Sequence, residues 1–550
     1  MDSLDAKFPK YMIYCVFVAC LGSFSNGWVI GSANIPGEIT HNCPNGNAHI
    51  FDKTFPDCLP MDNALWGFAV ASFCVGGLIG GLSGGAIQTR IGRKKAIIVN
   101  NLGYIAGGVL IGCSVHEGMF IIGRILCGIG CGMGSLSIPT YIGEVSTINA
   151  RGAMGTCNQF FIVVGILLAS VIGLPLATVP LWRINYAIVA IPAILQFFLM
   201  STCVETPRYL VSVNKIEEAR VALERLRGSA NVDREFYGMV EGYFGSAAAQ
   251  SMTNYVDTSG EESKKIPSSP RTAAAPVAEA DTRSVDTRPI EKDNRPVEKM
   301  DVQPAQETDQ LTTTPSEEVF DNNATDEQLV PARANNDTMG VIQIFKDPVI
   351  RRISFTVIML HAFQQLVGMN AVMYYSTTIF STAFDPEFSK YMAIVTTAVN
   401  FVMTGVSVAL IDRMGRRPLL LMANAGACIF SVLLVIGYVF NIPALLVVSV
   451  FLYVASFAIG IGPIPWLMTS ELTPTYASSS VGSIGTCVNW AMNFLVAQCF
   501  PVIFARIAGY SFVIFAVVAA AAFVFTLVFL PETKGKSLET IVQGFEKHRT

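Results

Sequence analysis

Apolar runs long enough to cross a bilayer recur twelve times along this chain. At about 1.5 Å rise per residue, some 20 apolar residues span the roughly 30 Å hydrocarbon layer. The runs are Tyr11 to Ala33, Asn63 to Gln88, Ala96 to Val115, Gly118 to Tyr141, Met154 to Leu174, Ile184 to Val204, Arg351 to Ser376, Tyr391 to Ile411, Leu419 to Val439, Pro443 to Met468, Val481 to Ala505 and Ser511 to Leu530. A backbone in hydrocarbon has no water to bond and must satisfy itself, so each run is expected to be a helix. With 52% hydrophobic and 14% charged residues, an all-α polytopic membrane protein is the expectation. The first run follows ten mostly hydrophilic residues and is too long for a signal-peptide core, so it reads as a retained helix.

Charge between the runs predicts orientation. Arg90, Arg93, Lys94 and Lys95 follow the second run, Arg151 the fourth, and Arg413, Arg416 and Arg417 the eighth. The long loop after the first run has only Lys53 among its Lys and Arg residues. The positive-inside bias then puts both termini in the cytosol and the loop Asn34 to Asp62 outside, and a plasma-membrane location is expected. That loop holds Cys43 and Cys58, the two of thirteen cysteines that neither lie in nor border an apolar run. An oxidising exterior permits a disulfide between them, while spacing alone leaves bonded and free forms open.

Between the sixth and seventh runs the chemistry changes. Asn214 to Arg227 reads as a charged amphipathic helix on the cytosolic face. From Ser246 to Thr338 there are 18 acidic and 9 basic residues and two aromatics, Tyr255 and Phe320. Such a segment cannot bury enough apolar surface to order itself. It reads as a passive linker or as a target for regulatory kinases or ubiquitin ligases. The sequons at Asn323 and Asn336 would face the cytosol and stay unglycosylated. The expected domains are residues 1–204, a cytosolic segment 205–350 containing the insert at about 246–338, residues 351–530, and a tail 531–550.

The two groups of six runs repeat one another. Ile91 to Lys95 (IGRKK) recurs as Met414 to Pro418 (MGRRP), and Ile138 to Val145 (IPTYIGEV) has a counterpart in Ile464 to Leu472 (IPWLMTSEL). Two repeated halves with a central loop describe a rocker whose substrate sits between them at mid-membrane. Gly92 and Gly415 permit a tight turn; Arg93 and Arg416 can reach carboxylates or helix C-terminal carbonyls, with Glu144 and Glu471 as matching anions.

Inside the seventh run lie Gln364, Gln365 and Asn370. Amides in hydrocarbon cost several kcal/mol each unless partnered, so three together imply a polar cavity or a polar ligand. On an unbroken helix at about 100° per residue they would spread around much of the circumference. A break near Gly368 is therefore expected, letting both flanks converge.

These residues carry a family resemblance. QQLVGMNAVMYYS from Gln364, GPIPW at Gly462 to Trp466, GEV and RG between Gly143 and Gly152, ETPRYL at Glu205 to Leu210 and PETKG at Pro531 to Gly535 resemble the sugar porter family of the major facilitator superfamily. Eukaryotic facilitative glucose transporters and fungal hexose transporters are the nearest in pattern. The resemblance implies twelve transmembrane helices in two six-helix halves, a cytosolic helical domain and hexose transport by alternating access. It assigns sugar contacts to Gln159, Gln364, Gln365, Asn370, Asn400, Trp466 and Asn493. It assigns an external gate to Tyr374 and Tyr375, and a cytosolic gate to Arg93, Glu144, Arg151, Glu205, Arg208, Arg416 and Glu471. Amides both donate and accept, which suits vicinal hydroxyls, and an indole adds an apolar face with one donor. The competing reading of any single buried amide is a bond that glues helices together; of Trp466, packing or an interfacial anchor; of the tyrosines, core aromatics.

Departures from the pattern bear on mechanism. Proton-coupled sugar porters usually carry an aspartate in the first span; here the position is Val29, which cannot take up a proton. Passive facilitation is expected, with symport through Glu38, Glu144 or His361 as the alternative and a transporter-like sugar sensor as another. Gln-Leu-Ser before the paired glutamines is replaced by His361, Ala362 and Phe363, and a glutamate before the tryptophan by Ala458. The usual arginine after the glutamate of the tenth span is replaced near Ser478, so Glu471 must find another cation, Arg151 or Arg416. The chain has no nucleotide-binding glycine loop, metal cluster or nucleophile triad, so no enzyme, cofactor, metal or nucleic-acid partner is expected. The expected partners are a monosaccharide and the lipid bilayer.

Overall fold

In the computed structural model the described residues are 8–43, 46–50, 53–147, 150–229, 231–244, 339–534, 541–542 and 544–545. The acidic insert, its two sequons and any regulatory site there lie outside them. Among the described residues there is no strand.

The first six membrane helices are α1 (Lys10–Gly31), α2 (Asn63–Ile91), α3 (Arg93–Gly112), α4 (Glu117–Val145), α5 (Arg151–Leu176) and α6 (Trp182–Thr202). The second six are α7 (Pro348–Phe380), α8 (Pro386–Met414), α9 (Arg416–Val439), α10 (Pro443–Leu472), α11 (Thr475–Ile507) and α12 (Phe512–Phe529). The last two lie in one apolar stretch of 53 residues, Ala477–Phe529, so that eleven stretches hold twelve helices. A positive φ of 44° at Ala508 and a 3₁₀ turn, Ala508–Ser511, divide it.

Several helices run past their apolar stretches because polar caps carry the first turn outward. Asp385 Oδ2 accepts from Phe388 N at 3.1 Å, and Asp347 Oδ1 from Val349 N at 2.9 Å. These caps start α8 and α7 several residues before the hydropathy rises, at positions a hydrophobicity scan reads as loop. The amphipathic helix appears as Ile216–Arg227, closed by Gly228 in the left-handed region, and Asp233–Phe244 forms a further helix beyond those expected.

Within the first half α2 and α3 pack on α4, α1 on α5 and α3 on α6; within the second, α9 packs on α10 and α12 and α7 on α11. The halves meet where α2 lies on α11 and α5 on α8, two contacts that exchange under the internal repeat. Gly77, Gly81 and Gly85 form a stripe on α2 that seats Trp490, Thr486 and Ser483 of α11.

The repeat extends to atomic detail. Gly92 and Gly415 have φ of 96° and 92°, and a Cβ at either would collide with a carboxylate, Glu205 or Glu532. Glu205, just after α6, accepts from the backbone N–H of Arg93 at 3.1 Å and Lys94 at 3.0 Å; Glu532, just after α12, accepts from Arg416 and Arg417, both at 3.0 Å. Each carboxylate thus caps the helix that follows the glycine turn, where the N-terminal dipole favours an anion. Lys94 Nζ bonds the Cys203 carbonyl at 2.7 Å and Arg417 Nη2 the Leu527 carbonyl at 2.7 Å.

At the opposite end Cys43 and Cys58 form a disulfide with Cα atoms 6.1 Å apart. Trp182 Nε1 and Arg183 Nη2 hold the loop through the Asp57 and Pro56 carbonyls at 3.0 and 2.9 Å.

Candidate functional site

α7 ends its first segment at Leu366 and restarts at Met369, with Gly368 at φ 97° between them. The left-handed glycine costs a helical hydrogen bond and turns the second segment, so that Asn370 comes round to Gln365. Asn370 Nδ2 donates to Gln365 Oε1 at 2.6 Å, a bond that the straight helix would forbid.

α10 is interrupted in a different way. Phe457–Ile461 is a π-helical turn followed by Gly462 and Pro463. The wider turn leaves carbonyls without their usual partners. Gln364 Nε2 takes up both, at Ile461 (3.2 Å) and at Gly462.

α11 supplies the link between them. Asn489 Nδ2 donates to Gln364 Oε1 at 2.6 Å, and its Oδ1 accepts from Gln365 Nε2 at 2.9 Å. Asn370, Gln365, Asn489 and Gln364 therefore form one continuous amide chain anchored on the π-turn. His361, fully buried, extends it: Asn489 Nδ2 is 3.3 Å from Nδ1, and Nε2 is 2.9 Å from Thr469 Oγ1. Its ring lies 4.6 Å from that of Trp466, edge to face.

This chain forms one wall of a cavity between the two halves. Gln159, Gln364, Gln365, Asn370, Asn400, Trp466 and Asn493 all line it. So do Ser23, Asn26, Asn158, Asn489 and Trp490, to which the sequence motifs assign no role. A signal for Asn489 exists: it precedes Asn493 by four residues, one helical turn, on the same face of α11. Among the described residues lining the cavity there is no Asp, Glu, Lys, Arg or His.

Tyr374 and Tyr375 are buried at the disulfide end of the cavity. Tyr374 Oη donates to Asn493 Oδ1 and Tyr375 Oη to the Ala497 carbonyl, both at 3.1 Å, and Tyr375 has non-helical φ/ψ that kinks the segment. Tyr374 meets Phe73 of α2 edge to face at 5.9 Å. Beyond it, Asn34 Nδ2 donates to Ser376 Oγ at 2.7 Å and Thr377 Oγ1 to Asn34 Oδ1 at 3.1 Å, joining the halves.

At the other end the charged pairs each stay within one half. Arg93 Nη2 lies 3.0 Å from Glu144 Oε1 and Arg416 Nη2 3.1 Å from Glu471 Oε1, so the cation that Glu471 meets is Arg416 rather than Arg151. Arg151 and Arg208 are exposed and, among the described residues, form no ion pair. Arg151 faces like charge from Arg208 and Arg227 and opposite charge from Glu235. Burial holds the Glu205 carboxyl above the usual range despite its three backbone donors. At Glu532 burial acts in the same direction but is outweighed by the N–H groups of Lys534, Arg416, Arg417 and Thr533, and its carboxyl sits below the usual range.

The family model described as "Sugar (and other) transporter" matches residues 15–263 and 297–545. The chain is 33% identical over 555 residues to solute carrier family 2, facilitated glucose transporter member 3, of Oryctolagus cuniculus, covering 98% of this chain and 93% of that protein. It is 32% identical over 564 residues to facilitated glucose transporter protein 1 of Caenorhabditis elegans, covering 99% and 92%. Among solved structures, the proton:xylose symporter XylE bound to 6-bromo-6-deoxy-D-glucose superposes with TM-score 0.68 at 23% identity, covering 97% of this chain and 99% of that one. XylE from E. coli in a partially occluded inward open conformation gives 0.64 at 22% identity, covering 95% and 100%. With a family match through both halves and relatives about one third identical along nearly the whole length, the chain belongs to the sugar transporter family, built on the major facilitator fold.

Proposed function

We propose that this protein carries a hexose, glucose first, across the plasma membrane by alternating access and without coupling to protons. The observation that carries the reading is the cavity between the halves, walled by amides and two indoles with no Asp, Glu, Lys, Arg or His among its described lining residues. A neutral polyhydroxyl ligand matches such a wall, because each hydroxyl can both donate and accept. The relatives named as facilitated glucose transporters support the same substrate class.

Passive movement is supported by the surroundings of Val29. Arg124, fully buried in α4, gives its guanidinium to the carbonyls of Val29 and Val70 at 2.9 and 3.0 Å and lies over the Phe73 ring. The cation is met by fixed dipoles and a ring face, and the position facing it in α1 has no proton to exchange.

In this reading both termini and the Arg93–Glu144 and Arg416–Glu471 pairs face the cytosol, the disulfide loop faces outside, and Tyr374 and Tyr375 form the outer gate. The hydrogen bonds from Asn34 to α7 then hold the outer end closed. Residues 1–204 and 351–530 are the two rocking halves, 205–350 the cytosolic segment, and kinases or ubiquitin ligases acting on the insert its regulators.

Labelled glucose flux into sealed liposomes carrying the purified protein, with competitor hexoses and with or without a proton gradient, tests the proposal. Saturable flux that equilibrates without accumulating is expected, lowered by Gln365→Ala and by Trp466→Ala. Gradient-driven accumulation would establish a symporter, and binding without flux a sensor.

A further inference from the structure

Ser23, Asn26 and Ile30 stand at i, i+3 and i+7 on α1 and share one face, and all three line the cavity. The neighbouring face is pinned. A Cβ on Gly27 would run into the Ile162 backbone of α5, and one on Gly165 into the Phe24 carbonyl, so the two backbones touch and α1 cannot turn. Ser23 Oγ donates to Asn158 Oδ1 at 2.6 Å. Asn26, 7% exposed, is held beside this pair with its Oδ1 buried and without a protein partner.

That oxygen stands out against the opposite wall. The amides of Gln364, Gln365, Asn370 and Asn489 largely satisfy one another. Among the described residues lining the cavity, the buried polar side-chain atoms left without a protein partner are Asn26 Oδ1 and Trp490 Nε1, one acceptor from the first half and one donor from the second. A carboxamide fixed in a desolvated wall and lacking a partner is matched by a group that arrives with the ligand.

The geometry points to Asn26 as a specificity-determining ligand residue: its carboxamide hydrogen-bonds a hydroxyl of the bound monosaccharide on the face turned away from Gln365 and Asn370. This rests on the monosaccharide reading above. Asn26 selects among epimers because a hydroxyl on the wrong face leaves its oxygen unpaired, whereas the mutually bonded amides opposite lose less when one hydroxyl is missing.

The test is competition of labelled glucose flux in proteoliposomes by glucose, its monodeoxy analogues and its epimers, for the full chain as wild type, Asn26→Leu and Asn26→Ser. Asn26→Leu is expected to lower glucose affinity about tenfold, the factor for one buried hydrogen bond, through KM rather than kcat. For one monodeoxy analogue, the one lacking the hydroxyl read by Asn26, affinity is expected to be unchanged by the substitution. Asn26→Ser, which keeps a polar group on the wall, carries the same comparison with a smaller loss and serves if the leucine variant does not fold. An equal loss for every analogue, or undiminished glucose affinity, would overturn the assignment while leaving hexose transport intact. Wild-type protein that binds none of the sugars would overturn both.

Discussion

The carboxamide of Asn489 lies between Gln364 and Gln365, 2.6 Å from the oxygen of the first, so that a residue of α11 sets the orientation of two residues of α7. With Nδ2 committed to Gln364 Oε1 and Oδ1 to Gln365 Nε2, Asn489 fixes which way round each glutamine amide sits in the bonded chain. Asn489→Ala is therefore expected to raise the KM for glucose roughly tenfold with a smaller change in kcat, because two side chains lose their preset orientation. Zero-trans uptake at varied glucose checks this; an unchanged KM would mean that the glutamines orient themselves.

The break in α7 depends on Gly368. Its φ of 97° disfavours any Cβ, and one built there would lie 2.5 Å from the Phe515 ring of α12. Gly368→Ala is expected to lower stability by about 1–3 kcal/mol and to reduce flux more than tenfold, since straightening α7 parts Asn370 from Gln365. Thermal unfolding in detergent and uptake measured on the same preparation would separate the two losses.

The ion pairs at the Arg93 and Arg416 turns bind each loop to its own half. Arg93→Ala or Glu144→Gln is expected to alter the balance of inward- and outward-facing states and to leave sugar affinity within about threefold. Labelling of single cysteines placed on either side of the cavity reads that balance. Unchanged accessibility would remove these residues from the gate.

Glu205 and Glu532 occupy equivalent places but differ in electrostatic sign. Burial holds the Glu205 carboxyl above its ordinary value, so its charged form is disfavoured by folding and its contribution to stability falls as pH rises through the folded pKa. The Glu532 carboxyl is held below its ordinary value; its contribution is present above the unfolded pKa and lost as pH falls through the folded one. At neutral pH Glu532→Gln is expected to lower the free energy of unfolding more than Glu205→Gln, by an amount on the order of 1 kcal/mol for charge-assisted bonds at a partly exposed site. The gap is expected to narrow as pH drops below the carboxylate range. Equal effects at both pH values would show that the two caps are electrostatically alike.

The twelve helices, the repeat of two halves and the break near Gly368 were legible in the sequence, because hydropathy, charge bias and glycine conformational freedom are local properties that sum along the chain. The need for polar partners was legible too, since amides in hydrocarbon at Gln364, Gln365 and Asn370 demand them wherever the helices lie. Which partners they take was decided only by the tertiary structure. Gln365 meets Asn489 across 124 positions, and Glu471 meets Arg416 across 55. Such choices follow from which helices come together, and a periodicity within one segment, such as the glycine stripe of α2, does not name the helix it will meet. The unpartnered carboxamide oxygen of Asn26 and the bond between Asn34 and Ser376 belong to the same class: they exist because of what packs, or fails to pack, against residues far away along the chain.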